Sequence, residues 1–194
     1  CLVLLVCGGS LPARATDAPA AAPTILVLGD SLSAGYGIRV EQGWVALLQA
    51  RLRAKGYGHR VVNASSSGET TGGALARLPR ALATHRPAIV IVELGGNDGL
   101  RGLPVADIRR NFEAIIRSSQ QAGARILLVG MKIPPNYGPA YTRDFYGLYG
   151  DLSRQYRLSN VPFLLANVAP DENLFQEDGI HPTAAAQPRL LDEV

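Results

Sequence analysis

Thiol chemistry has almost nothing to work with in this 194-residue chain. Its two cysteines are Cys1 and Cys7, so everything beyond them can form neither a disulfide nor a thiolate site. Histidine is scarce too. His59, His85 and His181 are scattered, which with no nearby cysteine argues against a zinc site. The net charge is only +3, and the basic residues fall in short clusters such as Arg51, Arg53, Lys55 and Arg109, Arg110. These read as solvated helix faces, because a nucleic-acid surface concentrates its charge on one face. No apolar run approaches the roughly 20 residues a membrane helix needs. G-x-G-x-x-G and G-x-x-x-x-G-K-[ST] are both missing, which removes the usual nucleotide-binding readings. No repeat is present. What is there, 47% apolar residues over this length, suffices for one globular domain with a full core.

The first residues read as a separate segment. Cys1–Cys7 is apolar, Gly8-Gly9-Ser10 follows, and Ala13-Arg14-Ala15 has the small-residue pattern of a cleavage site. Residues 1–15 are therefore expected to be the remnant of a secretory signal, without initiator Met or basic start. A buried first strand and a lipoprotein site at Cys7 are the alternatives. Residues 16–23 form an Ala/Pro linker, and the domain is expected over 24–194, its last helix cut short. An export signal on a cysteine-free body places the protein in the bacterial periplasm or outside the cell.

From Thr24 on, short apolar runs alternate with longer amphipathic ones. Strands are predicted at Thr24–Leu28, Arg60–Asn63, Ala88–Leu94, Arg125–Met131 and Pro162–Leu165, near-continuous in Ile, Val and Leu as strands covered on both faces are. Helical spacing links Trp44, Val45, Leu48 and Leu52; Leu75, Leu78 and Leu82; and Ile108, Phe112, Ile115 and Ile116, with Pro104 suited to a first turn. Tyr141–Leu158 is a further predicted helix, and a last one begins near Thr183. This alternation predicts an α/β fold, a five-stranded parallel sheet with helices on both faces. In such sheets ligands bind beyond the carboxyl ends of the strands.

Gly29-Asp30-Ser31-Leu32-Ser33 and Gly95-Gly96-Asn97-Asp98 fall at such ends. In the first, the Ser31 hydroxyl can stand above the sheet and its N–H can face a developing oxyanion, although Asp30 or Ser31 could equally cap a helix. Gly68, in a loop of small residues, can offer an N–H at close range for want of a Cβ, or be an ordinary loop glycine. Asn97 carries neutral side-chain donors, or caps a turn. Ser65, Ser66 and Ser67 lack a neighbouring base and stay weak nucleophiles. Asp178-Gly179-Ile180-His181-Pro182 sets a carboxylate three residues before an imidazole, so Asp178 can fix the tautomer while Nε2 faces Ser31; Glu177 competes for that role. His59 and His85 read as surface residues. A nucleophile, its base and oxyanion donors are thus present on paper, in the order Ser, Asp, His.

Together these blocks resemble the GDSL lipases and esterases, also called SGNH hydrolases, over about Thr24 to Arg189. The resemblance is strongest in Leu28–Gly37, Asn63–Thr70, Glu93–Gly102, Pro134–Gly138 and Asp178–Pro182, and points to the family's bacterial periplasmic acyl hydrolases. It implies a three-layer α/β/α sandwich, flavodoxin-like and without a long lid. Ser31 is then the nucleophile, His181 the base and Asp178 its orienting acid. The oxyanion donors are the Ser31 and Gly68 amides and the Asn97 side chain. The loop Gly99–Leu103 would lie beside the acyl group. Leu32, Gly99, Leu100, Leu103, Pro134 and Tyr137 are expected to contact substrate, with Ile133 and Pro135 nearby. The expected activity is hydrolysis of acyl esters and thioesters, including lysophospholipid, through an acyl-enzyme, by a monomer with no cofactor, metal, nucleic-acid partner or membrane span. A carbohydrate O-acetylesterase on the same scaffold, and a non-catalytic lipid- or nucleotide-binding module, are the rival readings.

Overall fold

The computed structural model describes residues 22–194; the proposed signal remnant and most of the proposed linker lie outside the described residues. Five strands make one all-parallel sheet in the order β2-β1-β3-β4-β5: β1 Thr24–Gly29, β2 Arg60–Asn63, β3 Ile89–Glu93, β4 Arg125–Val129 and β5 Ser159–Val161. Leu26, Val27 and Leu28 of β1, Val90 and Val92 of β3, and Leu128 of β4 have no exposed surface. Consecutive buried residues point to opposite faces, so both faces must be covered, and the unbroken apolar runs are the sequence trace of that burial.

The covering helices are α2 (Trp44–Ala54), α3 (Thr71–His85), α5 (Val105–Gln121), α6 (Pro139–Tyr156) and α7 (Gln187–Glu193), with the one-turn helices α1 (Ser31–Ala34) and α4 (Gly96–Leu100) at strand ends. α3 packs on α5 and α5 on α6, while α2 packs on α7. With right-handed crossovers this arrangement places the first three on one face and the other two on the opposite face. α5 shows why its sequence is helical: Ile108, Phe112, Ile115 and Ile116 recur every three or four residues and are fully buried. No described helix is long and apolar enough to cross a membrane.

β1 and β3 lie within one residue of expectation at each end, while two strands differ by more. β4 stops at Val129 rather than Met131; Gly130 just beyond it donates to the Val161 carbonyl at 2.8 Å and lies so close to the Pro162 carbonyl that a Cβ there would collide with it. β5 is Ser159–Val161 rather than Pro162–Leu165. Pro162 has no N–H to give a strand, and the apolar residues after it turn away: Leu164 donates to the Gly130 carbonyl at 3.0 Å and is fully buried. The predicted start of α5 shifts slightly too, with Pro104 just outside the helix as its N-cap.

The chain runs from β1 outward to β2, then returns to place β3 on the other side of β1. Strand order reverses there, so the loops after β1 and β3 diverge and leave a crevice above the sheet.

Candidate active site

That crevice brings Ser31, Asn97 and His181 together. β1 is followed by Asp30, whose Oδ1 accepts the Leu32 N–H at 3.0 Å and so caps α1, leaving Ser31 as its first residue. Gly35 closes the turn at φ +77°, a conformation natural to glycine. The Ser31 Oγ lies 2.9 Å from His181 Nε2, and His181 Nδ1 lies 2.6 Å from Asp178 Oδ2. It is Asp178 and not Glu177 that meets the imidazole. The other Asp178 oxygen accepts the Ile180 and His181 N–H groups, each at 2.9 Å. Those bonds, the His181 amide first, then the imidazole and the Ile180 amide, favour the carboxylate and hold Asp178 down at about 2.

Asn97 sits in α4, where its Nδ2 donates to Asp30 Oδ2 at 3.2 Å. Asp98, its neighbour, is fully buried and accepts from the Thr71 N–H at 2.9 Å and the Thr71 hydroxyl at 2.5 Å. It thereby anchors α3 to α4. Gly68 stands in the loop between β2 and α3 at φ +76°. Its carbonyl accepts from Arg101 at 3.2 Å, while Arg77 reaches the Ala64 carbonyl at 2.5 Å and pairs with Glu69 at 2.5 Å. The Gly68 loop is therefore strapped to α4 on one side and to α3 on the other.

A cavity of about 500 Å³ opens over Ser31, Asn97 and His181, walled by Leu32, Leu100, Ile133 and Pro134 among the expected residues. Gly99, Leu103 and Tyr137 are not on its wall. Gly99 is buried, packed on Ile133 and Phe145 so closely that a Cβ would clash. Tyr137 donates its hydroxyl to the Leu100 carbonyl at 2.7 Å, and the Leu103 carbonyl accepts from Tyr141 at 2.6 Å. These three support the α4 loop from behind. Asp178 and Gly68 also lie off the wall, and Pro135 begins a short 3-10 turn behind it. His59 and His85 are half-buried rather than exposed and do not line the cavity.

Sequence reasoning missed Met131, Lys132, Phe163, Leu165, Phe175 and Ile180, which also line the wall. It also missed Glu93. This carboxyl is fully buried under the Ser31 turn, where Oε2 accepts the Ser33 hydroxyl at 2.6 Å and the Asp30 N–H at 3.4 Å. Its Oε1 has no partner among the described residues. Burial first, and the Asp30 charge second, push Glu93 well above the usual carboxylate range. Burial also raises Asp30, to about 6. No local pattern announces Glu93; it ends an apolar run as a surface residue could.

Residues 27–188 match the model of the GDSL-like lipase/acylhydrolase family. The chain belongs to that family. Among curated relatives of this acylhydrolase, it is 50% identical over 190 residues to Esterase TesA of Pseudomonas aeruginosa, spanning 98% of this chain and 94% of that protein. It is 42% identical to the Escherichia coli K12 protein named Thioesterase 1/protease 1/lysophospholipase L1, over 89% of this chain and 82% of the other. A crystal structure of TesA superposes with a TM-score of 0.85 at 51% identity, covering 88% of this chain and 95% of that one. The acylhydrolase fold, a three-layer sandwich on a five-stranded parallel sheet, is thus the one expected from sequence.

Proposed function

We propose that this chain is a serine esterase and thioesterase that cleaves acyl esters through an acyl-enzyme, and that Ser31, His181 and Asp178 carry the reaction. The observation behind this reading is the unbroken hydrogen-bonded line from the Ser31 hydroxyl through the imidazole to the Asp178 carboxylate. Ser31 attacks the acyl carbon as its proton passes to His181 Nε2. Asp178, ionised at every working pH, accepts from Nδ1–H, fixes the tautomer and stabilises the imidazolium. The Ser31 and Gly68 amides and the Asn97 side chain receive the oxyanion. Asp30 takes one Asn97 hydrogen and leaves the other to face the reaction. His181 returns the proton to the leaving alcohol or thiol, and water repeats the steps to free the acid.

The walls of the cavity support an acyl occupant: Leu32, Leu100, Ile133, Phe163, Phe175 and Ile180 offer apolar surface near Ser31. The relatives named as esterase and as thioesterase and lysophospholipase support the same leaving groups. Lysophospholipid is the finer reading. It is supported by Lys132, an exposed cation on the cavity wall whose ammonium stands 4.6 Å from the Tyr146 ring centre and 4.9 Å from that of Phe163. Two aromatic faces hold the charge at the mouth, where an anionic headgroup can meet it. We place this activity in the periplasm or outside the cell on the strength of the export pattern, and in a monomer because the sequence shows no evident exposed apolar stripe.

A fluorophosphonate probe tests the assignment. It is expected to add one covalent group per chain, on Ser31, and to abolish hydrolysis of p-nitrophenyl esters, acyl thioesters and lysophospholipid alike. Ser31→Ala is expected to escape labelling and to lose at least about a thousandfold in kcat while melting like the parent. Labelling elsewhere, or retained turnover in the variant, overturns it.

A further inference from the structure

A second bond between the nucleophile and base segments lies outside the hydroxyl–imidazole contact, and it centres on Tyr36. The Tyr36 ring centre is 4.5 Å from that of the His181 imidazole, with the planes at 39°. Tyr36 is 52% exposed, so burial does not account for its position. Its backbone is tied at both ends. The Tyr36 N–H donates to the Ser31 carbonyl at 3.1 Å, and its carbonyl accepts from the Gln176 side chain at 2.8 Å. Gln176 reaches the base turn three ways: its side chain donates to the Pro182 carbonyl at 3.1 Å, its backbone N–H donates to the His181 carbonyl at 2.8 Å, and its own carbonyl accepts the Gly179 N–H at 2.9 Å. Gly37, at φ +74°, lies flush against the Gln176 amide, where a Cβ would collide. A turn near the end of the chain is thereby bolted to the segment that follows Ser31, with the tyrosine ring laid on the imidazole.

We propose that Tyr36 is a positioning residue that holds the His181 ring and stabilises its protonated form during turnover. An aromatic face attracts a cation more than a neutral ring, so the benefit appears when the imidazole takes the Ser31 proton. The other groups facing His181 are the Asp178 carboxylate on Nδ1, the Ser31 hydroxyl on Nε2, and the Asp30 carboxyl at the end of β1, which acts on it through space. No salt bridge sets a lysine or arginine against it among the described residues. The Tyr36 ring is thus the one aromatic support for the imidazolium there, and it comes from the same segment as the nucleophile.

This inference rests on the serine-hydrolase reading, and its test keeps the two apart. Tyr36→Leu is expected to lower kcat/KM about two- to fivefold, the value of an exposed cation–aromatic contact, and to move the acid limb of the pH profile down by about 0.4–0.7 pH unit. Tyr36→Phe, which keeps the ring, should restore both. Fluorophosphonate labelling of Ser31 in the parent reports on the parent reading alone: without it, that reading and this one fall together. With labelling intact, a Tyr36→Leu variant whose rate falls but whose acid limb stays put shows a merely structural side chain and overturns the proposal. So does a Tyr36→Phe variant as impaired as Tyr36→Leu.

Discussion

Ser31 and His181 reach each other from turns built in opposite ways. The Ser31 turn leaves the middle of the sheet. Asp30 is 2% exposed, and the bonds that hold the turn come from far along the chain: Glu93 beneath it, Asn97 beside it, and the Asn63 side chain on the Ser33 carbonyl at 2.8 Å. The His181 turn lies beyond β5 at the edge of the sheet, and its residues 177–180 are exposed. Its carboxylate is held by N–H groups two and three residues away. Two aspartates report the contrast. Burial raises Asp30 to about 6, while local N–H donors lower Asp178 to about 2. One turn pays desolvation for rigidity, and the other obtains its geometry from short-range bonds in contact with water.

The comparison can be broken most sharply at Asn97, which joins the buried turn to the reaction. Asn97→Ala is expected to lower kcat by about 10²–10³ with little change in KM, as loss of one oxyanion donor does. A rise in KM at constant kcat would instead mark Asn97 as a ground-state contact. The next effect is on stability. Because the folded Asp30 keeps its proton up to about 6 while the unfolded residue releases it near 3.8, the fold loses stability as pH rises between those values. Asp30→Asn removes that titration, so the difference in unfolding free energy between pH 4 and pH 7 should shrink by about 2–3 kcal/mol in urea titrations. The exposed Asp178 gives the opposite sign: its contribution is present above 3.8 and fades only as pH falls toward about 2. An unchanged slope in Asp30→Asn would locate the cost elsewhere. The smallest effect belongs to the cavity mouth. Lys132→Met should raise KM for an anionic lysophospholipid about two- to fivefold at low salt and leave the matching neutral monoacylglycerol unchanged, the worth of an exposed charge pair. Equal changes for both substrates would remove the headgroup contact.

Ser31, Asn97, Asp178 and His181 could be read from the chain because each sits in a short pattern at a strand end or in a tight turn, and the order of apolar runs gave the sheet. What stayed hidden depends on distant partners. Glu93 is recognisable only once Ser33, 60 residues earlier, is known to stand above it. Tyr36 and Gln176 meet across 140 residues. The error at β5 has a different origin. Phe163, Leu164 and Leu165 are apolar because they wall the cavity or fill the core below it, and hydrophobicity alone does not separate that role from a strand. Likewise Gly99, Leu103 and Tyr137 lie in the right loops but serve as backing, a distinction of one side-chain layer that spacing does not record.

Val161 ends the last strand of the sheet, and turns, one 3-10 helix (Glu172–Leu174) and a single antiparallel bridge between Phe175 and Pro182 carry the chain on past His181. Residues inserted at its exposed positions, such as Asn167, Ala169 and Pro170, have no sheet register to disturb, whereas Leu164, Val168 and Leu174 are buried and fix the rest. Phe163, Leu165 and Phe175, which wall the crevice, therefore sit on a part of the chain that can change shape without moving a strand.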